Sequence, residues 1–294
     1  MKKGVFMQFL SNAHTHTSYC DGKNSITEML QAAQKLGFVS LGFSGHADQG
    51  FDHAYSMGQG RQAAYFKALK EMQSLMQQQK TVPRIWVGLE EDAFVDDDCK
   101  SKNKAEFDYI IGSTHYLCRD FQGQCVSVDG DVAVLRNYVQ KQLDGDMLAM
   151  VKQYYDIHVH HALLNRPDII GHFDIVCKYA SKEEENALFD EQSKAYRRIA
   201  LNALEAVRTC EAVLEVNVGS MVPPKKRLYP YPSRELLGAW RELKGEVTLT
   251  SDCHDAAYLD YKFSETLHEL KTLGYRYVKR LGTGNELWET IEMP

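Results

Sequence analysis

The chain has 294 residues, 44% hydrophobic and 25% charged, a composition able to bury a sizeable core without disulfide or metal staples. Its formal net charge of −6 excludes a broad basic field for nucleic acid or an anionic membrane surface, so positive charge offered to an anionic substrate must be local. No apolar stretch approaches the roughly 18 residues of a membrane span, and seven cysteines, an odd number without a CxxC pair, point to reduced thiols in a cytoplasmic protein.

Residues 1–13 carry Lys2 and Lys3 ahead of a short apolar stretch broken by Gln8, too short for the core of a signal peptide; they read as a first strand ending at 11–13. A helix follows with a capping-box pair, Ser25 and Glu28, an apolar face of Ile26, Met29, Leu30 and Ala33, and Gly37 placed to end it. Residues 39–43 form a second strand. A helix over 62–79 has Tyr65, Leu69, Met72 and Met76 at helical spacing, and third and fourth strands follow at 84–89 and 107–112. The stretch 132–164 reads as mainly helical and 168–171 as a fifth strand. A long helix is predicted from Ser181, with Glu184 three residues on. Strands six and seven fall at 212–217 and 246–250, a helix at 264–273 and a last strand at 275–279. Alternating strands and helices imply βαβ units around a parallel sheet, and without a linker the whole chain, 1–294, reads as one α/β domain.

The polar residues choose between an open sheet and a barrel. His14, His16 and Asp21 follow strand one, His46 and Asp48 strand two, Glu90, Glu91 and Asp92 strand three, His115 strand four, His172 strand five, and Asp252 with His254 strand seven. Strand six ends at Asn217, a poor metal ligand. A barrel converges such strand ends on one face, whereas an open sheet spreads them along a line. Residues two apart on an extended segment share a face, so His14 with His16, and Asp252 with His254, can each address one ion. Mixed histidine and carboxylate ligands suit zinc, iron or manganese, and nine of them fit two or three ions bridged by a carboxylate.

Other residues fall outside this pattern. His53, His158, His160, His161 and His268 lie in predicted loops or helices, with His158 and His161 three apart on one helix. Glu91 should point away from Glu90, Asp48 is placed to orient a ligand histidine, and Cys253, between Asp252 and His254, should pack.

The ordered set His14-Thr-His16, Asp21-Gly, Gly45-His46, Gly88-Leu-Glu90, Ser113-Thr-His115, Gly171-His172-Phe-Asp174 and Ser251-Asp252-Cys-His254 resembles the PHP (polymerase and histidinol phosphatase) superfamily over nearly the whole chain. Within it the chain is similar to the histidinol-phosphatase branch of the HisK/HisJ type. The resemblance implies a distorted (β/α)7 TIM-like barrel with three divalent metal ions, Zn, Fe or Mn. One ion would be held by His14, His16, Glu90 and Asp252, with Glu90 bridging to a second held by His115 and His172. A third would lie on Asp21, His46 and His254. It further implies attack on phosphorus by a metal-bound water in the keeping of Glu90, His14 and His254, with Arg227, Lys225 and Arg166 as candidates to contact the phosphate. The expected reaction is hydrolysis of L-histidinol phosphate in histidine biosynthesis. The alternatives are another small phosphomonoester or a phosphotyrosine protein as substrate, or a non-catalytic metal-binding domain. A small-molecule phosphomonoester is the partner implied, and a nucleic-acid role is disfavoured by the charge.

Overall fold

The computed structural model describes residues 10–58, 60–119, 125–180, 187–224 and 227–293. Its strands, in chain order, are β1 (Ser11–Asn12), β2 (Ser40–Phe43), β3 (Arg84–Asp92), β4 (Tyr109–Ser113), β5 (Tyr116–Arg119), β6 (Cys125–Ser127), β7 (Ile169–Ile170), β8 (Val213–Asn217), β9 (Val247–Thr250), β10 (Tyr277–Leu281) and β11 (Trp288–Glu292). Its α-helices are α1 (Ile26–Leu36), α2 (Arg61–Gln79), α3 (Asp97–Glu106), α4 (Val132–Gln142), α5 (Met147–Asn165), α6 (Lys194–Val207), α7 (Arg234–Glu242) and α8 (Phe263–Thr272).

Nine strands form one sheet in the order β1-β2-β3-β4-β7-β8-β9-β10-β11, parallel throughout except for β11, which runs antiparallel to β10. The sheet curls until its ends approach. Beyond β1 and β9, Thr15 and Cys253 form a parallel bridge, with the His16 amide donating to Cys253 O and the Cys253 amide to His14 O. This brings the first and seventh expected strand ends side by side, as a barrel-like arrangement requires.

Local chemistry accounts for the helix boundaries. In α1, Ser25 and Glu28 make both halves of the capping box and Gly37 takes the left-handed conformation at the C-cap. Helix α2 buries Tyr65, Leu69 and Met76 and packs on β3. The start of the helix predicted from Ser181 lies outside the described residues, which omit 181–186; residues 187–193 are not helical, and α6 is capped by Ser193, whose side chain accepts from the Tyr196 amide. Only from Tyr196 onward do Tyr196, Ala200, Ala203, Leu204 and Val207 supply the buried helical stripe.

Five further elements escaped sequence reading. Helices α3 and α7 are short, and α3 is highly polar, capped by Asp96. The β5–β6 pair and β11 are antiparallel additions to the βαβ pattern. β3 also runs three residues past its predicted end, because Glu90, Glu91 and Asp92 pair with Ile111, Gly112 and Ser113 of β4. These carboxylates therefore sit in a strand, on rigid backbone.

Inside the curled sheet, alternation along β3 turns Trp86, Gly88 and Glu90 to the same face. Gly88 leaves room for the Tyr109 ring, which any Cβ there would strike. Ala13, Trp86, Tyr109, Ile111, Ile169 and Leu281 make an apolar cluster that fills the interior. β10 closes its lower end, where Leu281 O accepts from Ser40 Oγ and Gly282 O from Trp86 Nε1.

Candidate metal centre

The nine predicted ligands meet above that apolar filling. Glu90, buried on β3, is the hub. Its Oε2 lies 3.1 Å from His14 Nε2, 3.5 Å from His16 Nε2 and 2.8 Å from His46 Nδ1, and its Oε1 lies 2.9 Å from His172 Nε2 and 3.5 Å from His115 Nε2. On the far side, Asp252 Oδ1 is 3.1 Å from His16 Nε2 and 3.5 Å from His14 Nε2. Asp21 completes the rim, 3.1 Å from His254 Nε2 and 3.8 Å from His46 Nε2.

Three overlapping groups have ligand atoms close enough to share an ion: His14, His16 and Asp252; His46, Glu90 and His115; and His16, Asp21, His46 and His254. His16 and His46 each belong to two groups, a tighter interweaving than the family resemblance implies.

Backbone pairing places two of these ligands side by side. The end of β2 continues as a parallel bridge between His46 and Glu90, with the Ala47 amide donating to Glu90 O. Asp252 has a φ of 47°, a conformation tolerated better by Asp than by most residues, and such departures gather where a site overrides local preference. Cys253 is buried, as expected.

The decisive feature is a set of buried lone pairs without donors. His14 Nε2, His16 Nε2, Glu90 Oε2 and Asp252 Oδ1 are all buried without a hydrogen-bond partner, yet they face one another at 3.1–3.5 Å. Buried polar atoms are normally satisfied. The two imidazole nitrogens and Asp252 Oδ1 lie close enough together to hold one divalent cation, and Glu90 Oε2 reaches both nitrogens from the neighbouring group.

Two carboxylates prepare histidines for that role. His14 Nδ1 lies 2.6 Å from Glu215 Oε1; a carboxylate can only accept, so Nδ1 carries a proton and Nε2 is the nitrogen turned to the cluster. His115 Nδ1 is 3.3 Å from Asp92 Oδ2, which also accepts from the His115 amide at 2.7 Å. Burial opposes charge on His14, but Asp252, Glu215 and Glu90 outweigh it and raise it well above its ordinary value, so its Nε2 must give up a proton when a metal enters. Burial opposes ionisation of Glu90 and Asp252, but the surrounding histidines outweigh it and hold both carboxyls well below the usual range. Burial, reinforced by His254 and His46, pushes His16 down to about 3, so it is neutral and free to ligate. Burial works against charge on His115 and His254 as well. Asp92 with Glu90 still raises His115 to about 10, and Asp21 with Asp252 raises His254 to about 8.

The centre opens into a cleft of about 740 Å³. Arg227 is on its wall, with Nη1 donating to Cys177 O at 2.8 Å and Nη2 to Glu191 at 3.1 Å, and its guanidinium over the rings of Tyr229 and Tyr231. Lys225 lies outside the described residues. Arg166 is not brought to the site: it is exposed at the C-cap of α5, ahead of β7, at the opposite end of that strand from His172. Asp48 caps its own turn at Gly50 and orients no histidine. Glu91 faces away and accepts from Asn103. His158 and His161 do not pair; their Nδ1 atoms meet Thr114 and Asn165.

Sequence reading missed two kinds of residue. Lys178, six positions beyond His172, lines the cleft with its Nζ 3.7 Å from Asp129. Glu215, within the strand that seemed to contribute nothing, lies buried beneath the centre. Its signal was a charged residue in an otherwise apolar run, Val213-Leu-Glu215-Val.

A model of the PHP domain family matches residues 12–219, more than half of the chain. A protein named "Probable histidinol-phosphatase" from Deinococcus radiodurans is 25% identical over 281 residues, 92% of this chain and 96% of its own length. One of the same name from Schizosaccharomyces pombe is 21% identical, covering 84% and 81%. Among solved structures, a candidate histidinol phosphatase from Listeria monocytogenes superposes with a TM-score of 0.69 at 21% identity, covering 86% of this chain and 98% of its own. The Lactococcus lactis histidinol phosphate phosphatase, solved with zinc, L-histidinol and phosphate, gives 0.67 at 22%, covering 92% and 96%. These two share the fold of this chain.

Proposed function

Because the chain belongs to the PHP domain family, we propose that it is a metal-dependent phosphomonoesterase with three divalent ions, hydrolysing L-histidinol phosphate to L-histidinol and phosphate. The observation that carries the reading is the convergence of unpartnered His14, His16, Glu90 and Asp252 atoms at the floor of a cleft wide enough for a small phosphomonoester. The substrate follows the names of relatives spanning nearly the whole chain, one of them bound to histidinol and phosphate.

When bound, the ions would supply positive charge to the phosphoryl oxygens and acidify a water for attack on phosphorus. The chain's own residues do the rest. Glu90 joins the ligand groups, with Oε2 facing His14, His16 and His46 and Oε1 facing His115 and His172. Glu215 and Asp92 hold His14 and His115 with their Nε2 atoms inward. Arg227 and Lys178 bring fixed positive charge to a cleft whose protein is otherwise acidic, where it can attract and orient the phosphate.

The test is phosphate release from L-histidinol phosphate against a panel of phosphomonoesters and a phosphotyrosine peptide, with metal content measured on the same sample. Selective release from histidinol phosphate with metal bound is the expected result. Preference for another ester moves the substrate while keeping the chemistry, and a chain that binds no metal and hydrolyses nothing sinks the reading.

A further inference from the structure

β8 brings Asn217 and no predicted ligand to the centre, yet it carries the most heavily used carboxylate beneath it. Glu215 Oε1 accepts from His14 Nδ1 at 2.6 Å and from Thr250 Oγ1 at 2.7 Å. Its Oε2 accepts from the His172 amide at 2.6 Å and from Asn217 Nδ2 at 3.1 Å. Those four donors come from the ends of β1, β9, β7 and β8. Asn217 extends the chain of contacts, with Nδ2 3.3 Å from Asp252 Oδ2. Both oxygens of Glu215 are fully engaged and the side chain is completely buried, so it has no lone pair left for an ion.

We propose that Glu215 is a positioning residue for the ion that His14, His16 and Asp252 would hold. It fixes the tautomer of His14, sets the height of His172 through its backbone, and ties together the strand ends that carry His14, His172 and Asp252. The proposal rests on the metal-centre reading above. Its reach is local: Glu215 touches none of Asp21, His46 and His254, so the outer group should survive its loss.

Glu215→Gln isolates the effect. An amide offers one accepting oxygen where the carboxylate had two. If that oxygen stays with the His172 amide, the NH2 group faces His14, which must turn its Nδ1 lone pair to it and protonate Nε2. If the oxygen stays with His14, the NH2 group meets the His172 N–H, donor against donor.

The experiment loads metal-free wild type and Glu215→Gln with cobalt(II) or zinc(II) alone, and reads stoichiometry and the cobalt visible spectrum. Loss of such an orienting partner costs about 10–100-fold in metal affinity. We expect that loss for one ion per chain, a changed cobalt spectrum, and retention of the remaining ions. Unchanged stoichiometry, affinity and spectrum would overturn the proposal. Wild type that takes up no metal would instead overturn the metal-centre reading.

Should Glu215→Gln not fold, the wild type decides. Nitrogen-15 histidine spectra of the zinc-loaded protein should show His14 protonated at Nδ1, and protonation at Nε2 defeats the inference.

Discussion

The two ends of the same strands have opposite polar chemistry. At the lower end of the curled sheet, Trp86, Tyr109 and Leu281 fill the interior, and the polar atoms among them are used: Trp86 Nε1 on Gly282 O, Ser40 Oγ on Leu281 O, Tyr109 OH on Ala13 O. At the upper end, two turns of the strand alternation away, Glu90 replaces Trp86 on the same face of β3, and His14 Nε2, His16 Nε2, Glu90 Oε2 and Asp252 Oδ1 are among the buried atoms that lack a hydrogen-bonding partner. One end is closed on itself and the other is completed from outside. Stability and chemistry are thus separated along the length of single strands, as in other barrel-like α/β folds.

Substitutions at each end should separate in the same way. The largest effect belongs to Glu90→Gln, which removes the hub; metal content should fall and kcat/KM drop by about a thousandfold or more, while far-UV circular dichroism stays native. Near-normal activity would break the comparison at its upper end. Leu281→Ala should instead cost about 2–5 kcal/mol in denaturant unfolding, with metal stoichiometry unchanged. Loss of metal without loss of stability would show the two ends to be coupled.

Arg227→Met sharpens the comparison within the upper end, since it touches the cleft wall and not the ligands. Loss of one charge-assisted contact to phosphate should lower kcat/KM by about 10–100-fold with metal content intact.

Protons give a further contrast. His115 and His254, raised to about 10 and about 8, remain protonated at pH 7 in the metal-free protein. Metal uptake must displace those protons, so affinity should rise with pH by about tenfold per unit for each proton still bound, up to about 8 for His254 and about 10 for His115. Calorimetric titration in buffers of different ionisation enthalpy checks this, and uptake without proton release contradicts it. The sign for folding is opposite. His254 is raised above its ordinary value of 6.5, so its contribution to the stability of the metal-free protein is fully present below 6.5 and fades as pH rises through about 8.

Arg166→Ala carries the smallest effect. It is exposed and remote from the cleft, so KM and stability should change by no more than about twofold. A large rise in KM would return Arg166 to the phosphate site.

Much of this was legible because the signals are local. The capping box of α1, the apolar face of α2 and the apolar strand runs are short-range consequences of backbone chemistry, and ligand-type residues at successive strand ends follow from parallel topology. The failures are equally physical. The long helix expected across this stretch is interrupted at 187–193, and the buried stripe of α6 begins only at Tyr196, since burial sets where a helix holds. Arg166 is close in sequence to His172, yet a strand placed between them carries their side chains to opposite ends of the sheet.

By itself, then, the sequence determined the alternation of elements, the candidate ligands and the family, since each depends on residue type and spacing along the chain. Only the tertiary structure decided which ligand atoms face one another, that His16 and His46 are each shared between groups, and that Glu215 is a buried clasp and not a surface charge. Those facts depend on distances between strands far apart in the chain, such as the 201 residues separating His14 from Glu215, and only the curled sheet brings them together.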